Sequence, residues 1–518
     1  YYPLSFATNE ITKTIFFFSE DLAPINDTIQ VSATVDYSGT IIEDDETNNT
    51  ETISRAVYDI QWTGGVFPGF TIHYARVDWG QTPLQDYYDY ITIANEFIRD
   101  VFPVSEQRFS PTYNPIGLTN LAPLPANCNL PFRACLWLFL NFITSLYQSL
   151  KFQNPLADRY IAMVPDGWIC TYVPGKDCST VGMVFPLPVL DNIAIVQPGL
   201  TPLGRLPGGE SAHTAAHEIG HSVGLPVHPC AEEYDGDCDG VPDRIGELAS
   251  TGLWVSRRIP IRVPSDREVY CFMGGGTPNH DKKYWVDAED YAKLFNDHKV
   301  VASSQVSISD EATQGILVAG TFDISGTATL DTWYVLSEAE PSTLAPGPYS
   351  FEYQDANGAI LHQQSFAITY TVWGETFEQM PFVATISYIP NTAKIVVKYN
   401  NVPLAEKIVS PNAPTVTVIS PNGGEQLSGQ VEISWTGTDA DGDTLAYVVQ
   451  LTLNNGASWS TLAAGIADTS HMLDVSQLPP GTQYRIKVIA SDGFNTSQDV
   501  SDAPFTVLTS VYLPSISK

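Results

Sequence analysis

The chain has 518 residues, 43% of them hydrophobic and 11% aromatic, which is enough for roughly three or four packed domains and excludes wholesale disorder. Its 25 Lys and Arg against 58 Asp and Glu give a formal net charge of −33, a balance that repels nucleic acid and anionic membranes. The most apolar run, Cys135 to Leu150, is too short and too polar to span a bilayer, so we expect no membrane span.

Six of the seven cysteines form three close pairs in turn-rich sequence. This spacing predicts three local disulfides: Cys128 with Cys135, Cys170 with Cys178, and Cys230 with Cys238. Cys271 is left over, and reduced thiols or non-sequential pairing are the alternatives. The chain starts at Tyr1 without a basic and apolar leader, which indicates a removed signal peptide or a fragment. We therefore expect a secreted, extracellular protein that could be associated with the cell surface.

Residues 1–56 have the alternating pattern of β-strands, most clearly from Ile29 to Val35. The segment that ends Glu43-Asp44-Asp45-Glu46-Thr47-Asn48-Asn49 resembles the closing hairpin of CARDB-type adhesion sandwiches. Only half of such a sandwich is present, so its edges and apolar face need a cover from another chain or a neighbouring domain.

Residues 57–300 alternate between helical and strand patterns. Helical periodicity covers Pro83 to Val101, Leu136 to Leu150 and Val286 to His298, and short strand-like runs cover Tyr160 to Val164 and Ile193 to Val196. We expect an α+β domain here, and it contains the residues that could carry chemistry.

After residue 300 the helical patterns end and two stretches of strand-length alternation follow, 301–408 and 409–518, the second of which begins with a linker from Ser410 to Pro414. Ile433-Ser434-Trp435 and the Asp439 to Asp443 turn resemble immunoglobulin-like modules of exported proteins. The predicted fold is therefore multidomain: one α+β domain together with all-β sandwich domains.

His217 and His221 are four residues apart, which places both imidazoles on one face of a helix, where they can bind one metal ion. Glu218 lies beside them and can handle the proton of an activated water. Apolar residues around them, among them Ala216 and Ile219, indicate a buried helix, and buried histidines need partners. Gly224 allows the helix to end, and His228 offers a third nitrogen from the following turn.

His217-Glu218-x-x-His221-x-x-Gly224 followed by His228, with Met273 downstream in Tyr270-Cys271-Phe272-Met273-Gly274, resembles the metzincin zinc endopeptidases. The resemblance covers roughly residues 57–300. It implies that His217, His221 and His228 bind zinc, that Glu218 is the general base, and that Met273 forms a turn beneath the metal.

Two features depart from that family. Three residues separate Gly224 from His228, one more than usual, and Glu247 is the alternative third ligand. No tyrosine follows Met273 closely, so an oxyanion-stabilising tyrosine would come from elsewhere, with Tyr270 and Tyr284 as candidates.

The resemblance implies peptide hydrolysis. A zinc-activated water would attack the carbonyl while Glu218 takes its proton and later passes it to the leaving amine. We also expect the strand Asn192 to Val196 to be the sheet edge that pairs with an extended protein or peptide substrate.

An acidic loop predicts a second metal, calcium. Asp235, Asp237, Asp239 and Asp243 alternate around Gly240, and the carbonyl of Val241 would complete the ligand set. A solvated acidic turn braced by a Cys230–Cys238 bridge is the alternative. The Asp439, Asp441 and Asp443 turn has a similar pattern, but such turns also occur without metal.

Two functions remain open at this level. The first is a secreted, calcium-stabilised zinc endopeptidase whose β-sandwiches bind surfaces or polymers. The second is an extracellular structural or adhesive protein that self-assembles, in which the peptidase fold is a scaffold; the N-terminal half-sandwich favours it.

Overall fold

The structure is a computed structural model that describes residues 28–34, 50–56, 59–60, 70–77, 84–104, 109–114, 116–117, 121, 124–178, 180–185, 192–198, 210–225, 252–254, 259–261, 269–273, 283–285, 288–300 and 314–508. Within these ranges no helix has the length and apolar character needed to cross a membrane.

The N-terminal region contains short antiparallel pairings. Strands β1 (Thr28–Thr34) and β2 (Thr50–Ala56) pair along their whole length, with Val31 opposite Ile53. Strand β3 (Asp59–Ile60) pairs with a strand that follows the last helix, β13 (Lys299–Val300). The strand pattern predicted for residues 1–56 is therefore present in the part of this region that is described.

The next unit is an α/β layer structure. Its elements are β4 (Phe70–Arg76), α1 (Leu84–Val101), β5 (Phe109–Asn114), α2 (Phe132–Gln153), β6 (Arg159–Met163), α3 (Trp168–Tyr172), β7 (Gly182–Val184), β8 (Ile193–Val196) and α4 (Glu210–Ser222). The predicted helices and strands all occur, with small shifts at their ends.

These strands form one sheet in the order β5–β4–β6–β8–β7. The first four strands are parallel and β7 runs antiparallel to β8. Helices α1 and α4 pack on one face of the sheet, and α2 covers the other. The predicted metal-binding helix, α4, thus packs against both α1 and the sheet.

The expectation that the strand ending at Val196 forms the sheet edge is wrong. Strand β8 is bonded on both sides, to β6 and to β7, and all four of its residues are buried. Among the described strands the two edges of this sheet are β5 and β7, and β7 is the one next to β8. A fully apolar strand such as β8 is typical of the interior of a parallel sheet, and this is the physical reason for its position.

Short elements follow α4. They are β9 (Gly252–Trp254), β10 (Ile259–Ile261), β11 (Val269–Cys271), β12 (Lys283–Trp285) and α5 (Ala288–His298). Strands β9 and β10 pair antiparallel, and β11 and β12 pair parallel, with Tyr270 opposite Tyr284. Strand β11 leads directly into Phe272 and Met273, which are fully buried.

The third unit is a β-sandwich. Its strands are β14 (Gly315–Asp323), β15 (Thr327–Leu330), β16 (Tyr334–Leu336), β17 (Tyr349–Gln354), β18 (Ile360–Phe366), β19 (Thr371–Val372), β20 (Glu375–Thr376), β21 (Gln379–Ser387), β22 (Lys394–Tyr399) and β23 (Val402–Ile408). One sheet joins β15, β14, β16 and β21, and the other has the order β18–β17–β22–β23. Aromatic side chains such as Phe351 and Phe366, which stack at 4.4 Å, fill the space between them.

The last unit is a second sandwich. Its strands are β24 (Thr415–Ser420), β25 (Gln426–Leu427), β26 (Gln430–Thr438), β27 (Ala446–Thr452), β28 (Ser460–Ile466), β29 (Ser470–Asp474), β30 (Gly481–Ser491), β31 (Thr496–Val500) and β32 (Phe505–Val507), with a 3-10 turn at Val475–Gln477. A three-stranded sheet, β24–β26–β29, faces a sheet built around β30 and β27. Both C-terminal sandwiches predicted from sequence are therefore present.

The sandwiches share a core with the α/β unit. The cluster around Leu136 and Tyr147 of α2 also contains Leu317 and Val383 of the third unit and Val448 of the last. Buried hydrogen bonds cross the same seam, from Gln450 to the carbonyl of Phe152 (2.8 Å) and from the Thr461 hydroxyl to the carbonyl of Ser149 (3.2 Å). Helix α2 is therefore buried by residues of all three units.

Two of the predicted disulfides are present, Cys128–Cys135 and Cys170–Cys178. They close loops of similar size, one at the start of α2 and one at the end of α3. The amide of Asn127, just before the first loop, donates a hydrogen bond to the carbonyl of Thr171 in the second. The third predicted pair lies outside the described residues. Two stapled loops fit an oxidising compartment.

Candidate metal centre

The predicted metal-binding helix is α4, and its C-terminal end is fixed by the backbone. Gly224 has φ +85°, and the amides of Gly224 and Leu225 donate to the carbonyls of His221 and Gly220. This pairing satisfies two carbonyls at the helix end and favours glycine at the left-handed position. Arg159 of β6 also donates to the hydroxyl of Ser222. The last turn, which holds His221, is thereby anchored to the sheet.

The imidazoles of His217 and His221 face each other. Their Nε2 atoms lie 3.0 Å apart, and their ring centroids 4.5 Å apart. Nδ1 of His217 lies 2.8 Å from the carbonyl oxygen of Phe272, and Nδ1 of His221 lies 3.3 Å from that of Leu225. A carbonyl only accepts, so both Nδ1 atoms carry protons, and in the neutral rings both Nε2 atoms present lone pairs.

Such a donor set fits a metal ion. Two nitrogen lone pairs at 3.0 Å repel one another unless a proton or a cation lies between them. Histidines that bind zinc through one ring nitrogen commonly donate from the other to a carbonyl, which is the arrangement of both rings here. Neutral imidazole is also a preferred zinc ligand. His217 and His221 are therefore two described residues that could hold a metal ion together.

A third histidine, His213, also lies at the carbonyl of Phe272. Nε2 of His213 lies 2.6 Å from the carbonyl oxygen of Phe272, which thus accepts from two rings. Burial, and then the neighbouring His217, lower the pKa of His213 to about 3. His213 is therefore neutral at neutral pH and adds no charge beside the metal site.

Met273 lies against the helix at Gly220. A Cβ on Gly220 would clash with Sδ of Met273 and lie 3.2 Å from both Cε of Met273 and the Phe272 ring. Glycine at this position therefore lets the Phe272–Met273 turn approach the helix backbone closely. The turn lies next to the helix face that carries the histidines and supplies their shared carbonyl.

Glu218 is buried beside the edge strand. Its Oε1 would lie 2.5 Å from a Cβ added to Gly182 of β7, so the carboxyl packs directly on the backbone of that strand. Burial raises the pKa of Glu218 to about 8, and the positive charge of Lys176 acts in the opposite direction. A carboxyl that titrates near neutrality can both take and return a proton.

Several predicted site residues lie outside the described residues. These are the third zinc ligand His228 and its alternative Glu247, the calcium ligands Asp235, Asp237, Asp239, Val241 and Asp243, and the cysteines Cys230 and Cys238. The backbones of Tyr270 and Tyr284 are described in β11 and β12, but not their side chains. All of these assignments stay predictions.

The second acidic turn is described. Carboxylate oxygens of Asp439, Asp441 and Asp443 lie within 4.8 Å of one another. Asp441 already accepts hydrogen bonds from the backbone and side-chain amides of Asn412 in the linker, both at 2.8 Å. The Ser410 hydroxyl lies 2.8 Å from a carboxylate oxygen of Asp441 and 2.6 Å from one of Asp443. This turn ties the linker to the last sandwich, a structural role that needs no cation.

Three contributors to the site were not found from sequence. The carbonyl of Phe272 is a backbone group, which has no sequence signature. Lys176, in a loop, and Gly182, in a strand, precede the His217–His221 motif by more than thirty residues and belong to no motif themselves. Gly182 at the start of a short strand was the only available signal, because an isolated glycine in a strand often marks a close approach.

No protein-family model matches the chain, and no curated protein matches it. An endo-β-1,4-mannanase from Thermotoga petrophila is similar over 19% of this chain and 21% of its own, about a fifth of its length, with 19% identity and a TM-score of 0.15. A two-domain fibronectin type III segment of chicken tenascin is similar over 37% of this chain and 93% of its own, with 13% identity and a TM-score of 0.14. TM-scores this low carry no argument, so the sandwich assignment depends on the strands described above.

Proposed function

We propose that the protein is a secreted zinc-dependent endopeptidase with its centre on α4. The observation that carries this proposal is the facing pair of Nε2 atoms, 3.0 Å apart, on rings whose Nδ1 atoms are held by carbonyls. His217 and His221 would hold the ion, and His228 is the expected third ligand. Zinc supplies a Lewis acid that acidifies water and polarises a peptide carbonyl.

Glu218 is the group that moves the proton. Its carboxyl is adjacent in sequence to His217, buried, and next to the edge of the sheet, so bulk water does not compete for it. A pKa of about 8 before metal binding favours proton uptake, and a cation in the site would lower that pKa by charge attraction. The same carboxyl then returns the proton to the leaving amine.

The edge of β7 is the place for an extended peptide. An added strand would bond to the side of Gly182 to Val184 that faces away from β8. Because Gly182 contacts Glu218, the added strand would place a peptide bond near the carboxyl. This assignment replaces the internal strand β8, and it makes a protein or peptide the substrate.

The calcium loop remains part of the proposal. The predicted ligands Asp235 to Asp243 follow α4 closely in sequence, so calcium there would stabilise the chain that carries His228. Metal analysis of the purified protein distinguishes calcium from zinc.

The test is Glu218→Gln, which keeps the shape of the side chain and removes its proton chemistry. We expect casein cleavage by the wild type to be lost on adding a chelator and restored by zinc. The variant should lose cleavage by at least about 100-fold while binding as much zinc as the wild type. Cleavage by the variant at the wild-type rate would exclude Glu218 as the base.

A second candidate is supported by the N-terminal pairing. Strands β1 and β2 form a two-stranded sheet, and such a sheet is marginal on its own in water. Pairing of β1 or β2 with another copy of the chain would extend it, as expected for an assembling extracellular protein. Light scattering of the purified chain, with Val31→Lys as a variant that introduces a charge into β1, tests assembly independently of peptidase activity.

A further inference from the structure

A hairpin of the third unit reaches the end of the proposed substrate edge. Strands β19 and β20 form a tight turn with Trp373 at its tip, where φ is +47°. The indole stacks on Phe185, the residue that follows β7, at 6.1 Å, and on Phe139 of α2 at 6.3 Å. The sandwich thus supplies an aromatic wall beside β7.

A cation lies on that wall. Nζ of Lys176 is 5.3 Å from the centroid of the Trp373 ring, in the geometry of a cation–π contact. Lys176 belongs to the loop that the Cys170–Cys178 disulfide closes just before β7. It forms no ion pair among the described residues, although the chain as a whole carries a net charge of −33.

The two faces of β7 have different neighbours. Gly182 lies against Glu218, whereas Met183 and Phe185 pack on the α2 side of the sheet. In an added strand successive side chains also alternate between the two faces. Every second side chain of a peptide on β7 would therefore be directed to the face that holds Trp373 and Lys176.

We propose that Lys176 and Trp373 form a subsite beside β7 that selects an acidic side chain in the substrate. This inference rests on the proposed peptidase function and extends it, since it makes the third unit part of the substrate cleft. The ammonium supplies charge complementarity, and the indole holds the ammonium and offers an apolar surface to the methylene groups of glutamate.

The experiment uses the full chain and short peptides in pairs that differ only by Glu or Gln at one position, with that position moved along the peptide. The kcat/KM of each pair is measured with the zinc-loaded wild type, and binding of each pair is measured by fluorescence anisotropy with Glu218→Gln. We expect about a 5-fold preference for Glu at one position, declining as salt is added, the size typical of a partly exposed charge pair.

Lys176→Glu should reverse the preference and Trp373→Ala should weaken it. Lys394→Glu, which changes an exposed lysine on β22, is the matched control and should leave it unchanged. If cleavage is chelator-sensitive but Lys176→Glu has the same ratio of kcat/KM values for the Glu and Gln peptides as the wild type, the subsite is wrong and the peptidase function still stands. Absence of chelator-sensitive cleavage in the wild type would overturn the peptidase function. In that case the binding measurements still test the subsite. Tighter binding of the Glu peptide that reverses in Lys176→Glu supports the subsite, and equal binding of the Glu and Gln peptides overturns it.

Discussion

The Nε2 atoms of His217 and His221 lie 3.0 Å apart, and Nδ1 of each ring lies beside a backbone carbonyl oxygen. The helix brings the rings together, while the Phe272 turn and the backbone beyond Gly224 set their rotation. Because the rings are already held in place, metal binding loses less side-chain conformational entropy.

Replacement of His213 should weaken metal binding without removing a ligand. His213→Phe loses one of two donors to the Phe272 carbonyl and leaves His217 to hold the turn alone. We expect zinc affinity to fall about 10-fold to 100-fold, measured by competition with a fluorescent chelator. His362→Phe, at an exposed position on β18, is the control. Equal affinities in the two variants would contradict a supporting role for His213.

A methyl group on Gly182 should displace the base. In Gly182→Ala the new Cβ would lie 2.5 Å from Oε1 of Glu218 and 2.7 Å from Cγ2 of Thr214, so the carboxyl must move. We expect kcat to fall by about 100-fold with unchanged zinc content, because small misplacements of a catalytic group are costly. Val184→Ala, on the same strand, should lower kcat far less. Unchanged kcat in Gly182→Ala would show that Glu218 does not act from this position.

Asp158 should make stability depend on pH. It is buried at the seam with the third unit, and burial raises its pKa to about 7, partly offset by the Thr71 amide and by the charge of Arg159. The folded state then binds more protons between about pH 4 and pH 7, so the free energy of unfolding falls as pH rises through that window. The slope is at most about 1.4 kcal/mol per pH unit.

Asp158→Asn removes this titration and keeps an oxygen for the Thr71 amide. Relative to the wild type, its free energy of unfolding in urea should therefore rise between pH 5 and pH 8. Asp468→Asn, at an exposed position of the last sandwich, should run parallel to the wild type. Parallel curves for all three proteins would show that Asp158 is ionised throughout.

The shared core predicts that the α/β unit and the sandwiches unfold together. Thr461→Val removes the buried donor to the Ser149 carbonyl of α2 with almost no change in volume. We expect a loss of about 1–3 kcal/mol, seen equally by helix circular dichroism and by tryptophan fluorescence. Thr327→Val is the exposed control. A shift in fluorescence alone would show that the last sandwich unfolds independently.

The sequence predicted local structure and the local part of the site. Helical spacing placed His217 and His221 on one face, and the short cysteine spacings predicted two disulfides that are present. It did not predict which strand is the edge, because a four-residue apolar run fits an edge or an interior strand equally well. Contacts between distant segments, such as Trp373 with Phe185, have no periodicity to reveal them.

The zinc content of the purified chain tests the central claim most directly. Inductively coupled plasma mass spectrometry should find about one zinc ion per wild-type chain and a stoichiometric loss in His221→Phe, with no loss in the surface control His362→Phe. Equal zinc in wild type and His221→Phe, or none in the wild type after incubation with zinc, would contradict a metal centre at the facing Nε2 atoms.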